Sequence, residues 1–231
     1  MDNSIKLAKQ KKVSGIVTLP IIKKTLIENG FNYPGHTEYL GKVSKKKPLM
    51  IMLNQKLKVA TLTTHIPISQ ITKKVTKKNL ENTIQIYINS LTKDFGIINP
   101  KIAVRALNPH SGEEGKIGKE EINIIKPVID KFKKRGKTIY GPIPADTMFH
   151  QDALKNIDAN LCMFHDQALI PIKSSDFYGS INFTAGLPFI RTSPDHGTAF
   201  DIVGLNKANN SSLINAIKYC LLYTSPSPRD Y

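Results

Sequence analysis

An α/β fold is what this sequence predicts, and three observations carry the prediction. Along the 231 residues, short β-type runs alternate with stretches whose apolar side chains recur every three or four positions. Two of the runs, Leu49–Leu53 and Leu57–Thr64, are separated only by Asn54-Gln-Lys, which suits an antiparallel pair. Several histidines fall in loops just past β-type runs, where α/β proteins place their chemistry.

Taken in order, Val13–Leu19 reads as a buried strand, and Pro20 opens a helix over Ile21–Glu28 that Gly30 closes in the left-handed conformation. Asn32-Tyr-Pro-Gly-His-Thr-Glu38 is a turn-rich loop carrying His36 and Thr37. The antiparallel pair ends at Thr63-Thr-His65-Ile-Pro67. Lys77–Phe95 is an amphipathic helix with Leu80, Ile84, Tyr87, Leu91 and Phe95 on one face. The run Lys101–Ala106 leads into Leu107-Asn-Pro-His-Ser-Gly-Glu-Glu-Gly, a loop with His110 at its centre. A helix over 118–135 follows, with Ile122, Ile125, Ile129 and Phe132 inward, a kink expected at Pro127 and a stop at Gly136. Thr138–Tyr140 is a brief strand before Gly141-Pro-Ile-Pro-Ala-Asp146-Thr147. Ala159–Phe164 is a buried strand that runs out into His165-Asp166-Gln167. Strands at 180–184 and 189–192, a loop at Asp195-His-Gly-Thr-Ala199 and a helix over Ser211–Leu222 complete the set. With no internal repeat or interior linker, one compact α/β unit is preferred.

The formal charge of +15 raises the possibility of a basic nucleic-acid-binding protein without catalysis. The distribution argues against it. Lysines are scattered, arginine occurs only at 105, 135, 191 and 229, and there is no tryptophan or aromatic-basic interleaving. No nucleic-acid partner is therefore expected, although the field would attract small anions. The longest apolar run, Leu49–Leu53, is too short to span a bilayer, so no membrane association is expected either. The start carries no apolar signal region, and two cysteines make no disulfide framework; the expected compartment is the cytoplasm.

His65, His110 and His165 share one placement, just beyond a β-type run. Three imidazoles from strand ends can ligate a divalent metal and leave positions open for substrate oxygens. Their spacing matches no metal motif by itself, and Asn-Pro-His-Ser-Gly alone is also an ordinary turn.

Six segments in order resemble the 4-hydroxythreonine-4-phosphate dehydrogenase family. They are Thr63-Thr-His-Ile-Pro, Leu107-Asn-Pro-His-Ser-Gly-Glu, Gly141-Pro-Ile-Pro-Ala-Asp-Thr, His165-Asp-Gln, Gly186-Leu-Pro-Phe-Ile-Arg-Thr-Ser and Asp195-His-Gly-Thr-Ala. The resemblance runs from about Ser14 to Tyr219. It implies an isocitrate/isopropylmalate dehydrogenase-like fold, a mixed sheet flanked by helices, and a place in pyridoxal phosphate biosynthesis. It also implies His65, His110 and His165 as ligands of a divalent metal (Zn, Co, Mg or Mn), and His36, Thr37, Lys173, Asn182 and Arg191 as contacts to a phosphorylated substrate. NAD is the implied cofactor. The loop Asp195, His196, Gly197, Thr198 and Ala199 resembles the adenine-side loop of that fold, which needs no Gly-x-Gly-x-x-Gly.

The implied reaction oxidises a secondary alcohol by hydride transfer and then loses carbon dioxide. Asp146, Asp166 and Lys173 are the unranked candidates for moving protons; beside His165, Asp166 has the alternative role of orienting a ligand. The substrate is 4-phosphooxy-L-threonine or, in a paralogous enzyme, a phosphorylated sugar acid such as 4-phospho-threonate or erythronate. The family is dimeric, so a homodimer with its active site at or near the interface is expected. The family also has a substantial part preceding Val13, so the chain is expected to be N-terminally incomplete. Residues 1–222 would be a partial catalytic domain, and the tail 223–231, with its Ser-Pro repeats, a disordered or foreign segment.

Overall fold

A computed structural model describes residues 1–224 apart from 29, 32 and 34; the expectation for 225–231, and part of that for the turn before His36, lies outside them. The elements in chain order are α1 (Asp2–Lys9), β1 (Gly15–Val17), α2 (Lys23–Glu28), α3 (His36–Ser44), β2 (Leu49–Leu53), β3 (Lys58–Thr61), α4 (Ile71–Lys74), α5 (Lys77–Lys93) and β4 (Ile102–Arg105). They continue with α6 (Lys126–Lys134), β5 (Ile139–Ile143), α7 (Gln151–Leu154), β6 (Ala159–Cys162), α8 (His165–Ser175), β7 (Ile181–Ala185), β8 (Ile190–Pro194) and α9 (Ser211–Thr224). The fold is α/β, with mixed sheet flanked by helices. Packing divides the chain into two compact units, residues 1–50 with 176–231, and residues 51–175.

In the first unit β8 is central, parallel to β1 (Ile16 opposite Arg191) and antiparallel to β7 (Asn182 opposite Ser193). Helix α9 packs on all three strands, and the Thr192 hydroxyl donates to the carbonyl of Ala216 at 2.8 Å. The approach is close enough that a Cβ on Gly15 would lie 2.5 Å from Cys220 Sγ and 3.2 Å from the carbonyl of Ile190, so a larger residue there would push the helix or the strand. Ile5, Ala8, Ile16 and Leu40 form a buried cluster backed by Tyr39, Leu187 and Phe189.

In the second unit the strand order is β2-β3-β6-β4-β5; β2 and β3 are antiparallel, and β3, β6, β4 and β5 run parallel. The N-terminus of α5 is capped by Thr76, whose hydroxyl accepts from the amide of Asn79 at 3.2 Å. Leu80, Ile84, Tyr87 and Leu91 on its inner face are all fully buried. At about 1.5–3 kcal/mol for each large apolar side chain, this face accounts for much of the helix's stability.

Several expectations need correcting. The first strand is only Gly15–Val17, and Val13 and Leu19 are exposed. Residues 36–44 and 165–175 are helices rather than loops at their starts, because Gly35 gives α3 an extended N-cap and His165 opens α8 directly. The stretch before Pro127 is a π-helical turn, Glu121–Ile125, and Pro127 falls in the first turn of α6, where one changes into the other. Ile122, expected to face inward, is exposed, while Ile125, Val128, Ile129 and Phe132 are buried.

Candidate functional site

Parallel pairing decides what meets at the strand ends. With Thr61 opposite Cys162, Val104 opposite Leu161 and Arg105 opposite Ile143, four strands end along one edge of the second unit's sheet in the order β3, β6, β4, β5. The segments that leave them carry His65, His165, His110 and Asp146 in that same order.

Adjacent exits produce the contacts. The rings of His65 and His165 lie 5.6 Å apart, centroid to centroid. Both line a cleft of about 200 Å³ with Asp166, against an apolar wall of Ile66, Ile68, Ile71 and Phe164. His165 Nδ1 is 2.7 Å from Asp166 Oδ1. A carboxylate only accepts, so the proton sits on Nδ1 and the Nε2 lone pair is left for a ligand. A carboxylate on the second ring nitrogen is how proteins orient metal-binding imidazoles. The donor chemistry of His65 and His165 therefore fits a divalent cation.

His110 is placed otherwise. Its Nδ1 is 2.7 Å from Glu113 Oε1, a bond that, with the Glu113 charge and then that of Asp146, raises the imidazole's pKa. Among the described residues, no three His, Cys, Asp or Glu side chains group to hold a metal. The expected three-imidazole set is thus gathered only as the pair His65 and His165. The physical reason is the loop: His110, Ser111, Gly112, Glu113 and Glu114 all have φ between 43° and 80°. This left-handed run turns the imidazole onto its own loop carboxylate, and it costs roughly 1–2 kcal/mol for each non-glycine residue.

The loop stays beside β5, where the Ser111 hydroxyl donates to the carbonyl of Pro142 at 3.4 Å. Asp146 is exposed, in a short 3-10 turn after β5. Lys173 lies seven residues beyond Asp166 on α8, which puts the two on one face of the helix.

In the first unit, Arg191 is 3% exposed, with its guanidinium held by neutral hydroxyls. Nε and Nη2 donate to Thr18 Oγ1 at 3.1 and 2.5 Å, and Nη1 donates to Thr184 Oγ1 at 2.9 Å. Burial lowers its pKa to about 10, and the Glu38 charge opposes the fall. Asn182 has a buried Oδ1 with no hydrogen-bond partner among the described residues, the kind of acceptor a ligand N–H or O–H satisfies. His36 and Thr37 are the first two residues of α3, where unbonded helix amides favour an anion. Residues 196–199 form an exposed loop after β8, anchored where the Asp195 amide donates to Ser212 Oγ at 3.0 Å.

Burial first, then Arg191 and the chain's amino terminus, lowers His36 from 6.5 to about 4. The unfolded chain takes up this proton more readily than the folded one. The contribution of His36 is complete above pH 6.5 and is lost as pH falls towards about 4. Urea unfolding midpoints measured across that window should fall less steeply in His36→Gln than in the unaltered chain. Equal slopes would show that His36 is not held neutral by the fold.

Sequence reasoning missed Gln167. Its Oε1 accepts from the Met163 amide at 2.8 Å, and its Nε2 donates to the Ala106 carbonyl at 2.8 Å, which ties the β6 exit to the β4 exit. The signal was present, since Gln167 completes the quoted His165-Asp-Gln segment, but an uncharged amide suggests no chemistry. Glu121 likewise carries no signal in the sequence beyond its place in the helix expected over 118–135.

The second unit thus sets imidazoles and carboxylates at parallel strand ends, and the first holds a buried arginine and an unsatisfied amide oxygen, within an α/β fold. Residues 1–220 match the family model of the pyridoxal phosphate biosynthetic protein PdxA, and the chain belongs to that family. It is 44% identical over 225 residues to 4-hydroxythreonine-4-phosphate dehydrogenase of Caulobacter vibrioides, covering 94% of this chain and 68% of that protein. It is 45% identical over 221 residues to the enzyme of the same name from Paracoccus denitrificans, covering 93% and 69%. The crystal structure of 4-hydroxythreonine-4-phosphate dehydrogenase from Klebsiella pneumoniae superposes with a TM-score of 0.86 at 40% identity, over 96% of this chain and 68% of that one.

Proposed function

We propose that this protein is an NAD-dependent dehydrogenase that oxidises 4-phosphooxy-L-threonine at C3 and decarboxylates the product to 3-amino-2-oxopropyl phosphate. The observation that carries the proposal is the pairing of His65 with His165 at neighbouring strand exits, with Asp166 on the second nitrogen of His165. Membership of a family whose relatives are dehydrogenases supports it.

His65 and His165, with His110 once it leaves Glu113, would hold a divalent cation, which when bound would supply charge to lower the pKa of a hydroxyl and polarise a carbonyl. Asp195, His196, Gly197, Thr198 and Ala199 would hold NAD, which when bound would supply the acceptor for the C3 hydrogen as hydride. A base among Asp146, Asp166 and Lys173 takes the hydroxyl proton. Asp166 already accepts from His165, so its first task is to fix the ring. The β-keto acid then loses carbon dioxide, and the same set of acids returns a proton to C2. Arg191 supplies charge to an anionic group of the substrate and Asn182 an acceptor, with His36, Thr37 and Lys173 as further contacts.

In this reading the protein works in the cytoplasm as a homodimer with the site at or near the interface. Among the described residues no helix is long and apolar enough to cross a membrane.

The test is a substrate panel read as NADH formation. 4-Phosphooxy-L-threonine should be oxidised in preference to 4-phospho-threonate and 4-phospho-erythronate. The reverse preference would move the protein to the sugar-acid reading. Salt-resistant binding of DNA with no turnover would overturn both.

A further inference from the structure

The left-handed loop around His110 should not persist on its own, because four of its five left-handed residues carry side chains. What opposes its relaxation is one buried carboxylate. Glu121, at the start of the π-helical turn, is 2% exposed. Its Oε1 accepts from the amides of Leu107 and Asn108, both at 2.8 Å, and its Oε2 accepts from Asn108 Nδ2 at 2.9 Å. The same Asn108 amide group donates to Glu120 at 2.8 Å. The loop closes down onto this carboxylate: a Cβ on Gly112 would lie 2.8 Å from Glu121 Oε2 and 2.7 Å from the carbonyl of Gly118. Gly112 has φ +80° and is buried, so it meets both the conformational and the spatial demand of the position.

We infer that Glu121 is a positioning residue, a clamp whose carboxylate fixes the strand exit at Leu107–Asn108 and holds the His110 loop in its left-handed form. Three N–H groups converge on it from Leu107 and Asn108, separated from the run only by Pro109, so the clamp acts where the chain leaves β4. The amide at the next exit is held in parallel by Gln167, which leaves the His110 loop as the part that depends on Glu121. The conformational claim stands without any activity; its bearing on catalysis rests on the proposed role of His110.

The experiment follows amide hydrogen exchange in the protein carrying Glu121→Ala, Glu121→Gln or Gly112→Ala. Exchange at Leu107 and Asn108 and through 110–117 should accelerate about 100-fold in Glu121→Ala, while β6 and α5 keep their protection. Glu121→Gln keeps an oxygen for the two backbone amides and should restore most of that protection. Gly112→Ala, which pushes on the carboxylate without removing it, should reproduce the local loosening if Glu121→Ala does not fold. Unchanged exchange in the loop, or equal acceleration in every segment, would overturn the clamp and leave Glu121 an ordinary core residue. The kinetic readout is separate. With a local clamp, kcat shifts in Glu121→Ala and returns in Glu121→Gln, while KM for NAD stays within about twofold. A loosened loop with unaltered kcat would reject the role of His110 and leave the clamp standing.

Discussion

His165→Ala should abolish both turnover and binding of divalent metal. The side chain is one of two imidazoles brought within 5.6 Å by the pairing of β3 with β6, and its Nδ1 is occupied by Asp166. Removing it deletes the nitrogen that this arrangement presents and leaves Asp166 with nothing to orient. Asp166→Asn is the informative companion. The ring remains, but its tautomer is no longer fixed by a carboxylate, and a loss of about 10–100-fold in affinity or activity is expected. The measurements are calorimetric titration with zinc alone and initial rates of NADH formation. The account predicts the order unaltered protein, Asp166→Asn, His165→Ala in both. Full zinc affinity in His165→Ala would remove that histidine from the ligand set.

Arg191→Ala should raise KM for the phosphorylated substrate by about 10–100-fold, the equivalent of the roughly 1.5–3 kcal/mol carried by a hydrogen bond to a charged group. The guanidinium is buried, and its hydrogen bonds to protein go to the Thr18 and Thr184 hydroxyls. A cation kept out of water with hydroxyls as its hydrogen-bond partners, its charge answered in part by Glu38, can still attract an anion. Arg191→Lys should recover little, because an ammonium cannot span two hydroxyls and an anion in the plane that a guanidinium fills. The check is the steady-state KM of each variant beside its unfolding midpoint. A fall in stability with KM unchanged would make Arg191 a structural residue.

Much of this was legible in the sequence because it is written as periodicity. The α5 face Leu80, Ile84, Tyr87 and Leu91, the hairpin around Asn54 and the apolar run Ala159–Cys162 each follow from spacing and turn chemistry. The illegible parts have equally physical causes. Helix α1 buries only Ile5 and Ala8, too few positions to make a period. Helix α3 starts at a glycine without a capping side chain, so Gly35-His-Thr resembled a turn. The start of α8 was hidden because Ala159–Phe164 reads as a strand up to the histidine itself, and Pro171 interrupts the helical pattern that follows.

The site divides in the same way. That His65, His110 and His165 leave strand ends was visible from position alone, but their neighbours depend on strand order, which a local pattern does not encode. The left-handed run from His110 to Glu114 goes against the preferences of every residue in it except Gly112. It is imposed from outside the loop by Glu121, a residue that by its own surroundings in the sequence belongs to a helix start. Arg105 shows the same limit. As part of a β-type run its burial is unremarkable, yet it is wholly buried with its guanidinium 4.6 Å from the Phe149 ring and bonded to Asn160.

The most direct test of the central claim is the stoichiometry of the reaction with 4-phosphooxy-L-threonine and NAD, with NADH followed by absorbance and carbon dioxide trapped from the same vessel. The account predicts one carbon dioxide for each NADH, and loss of both when the divalent cation is removed with a chelator. NADH formed without carbon dioxide, or turnover indifferent to the chelator, would contradict it.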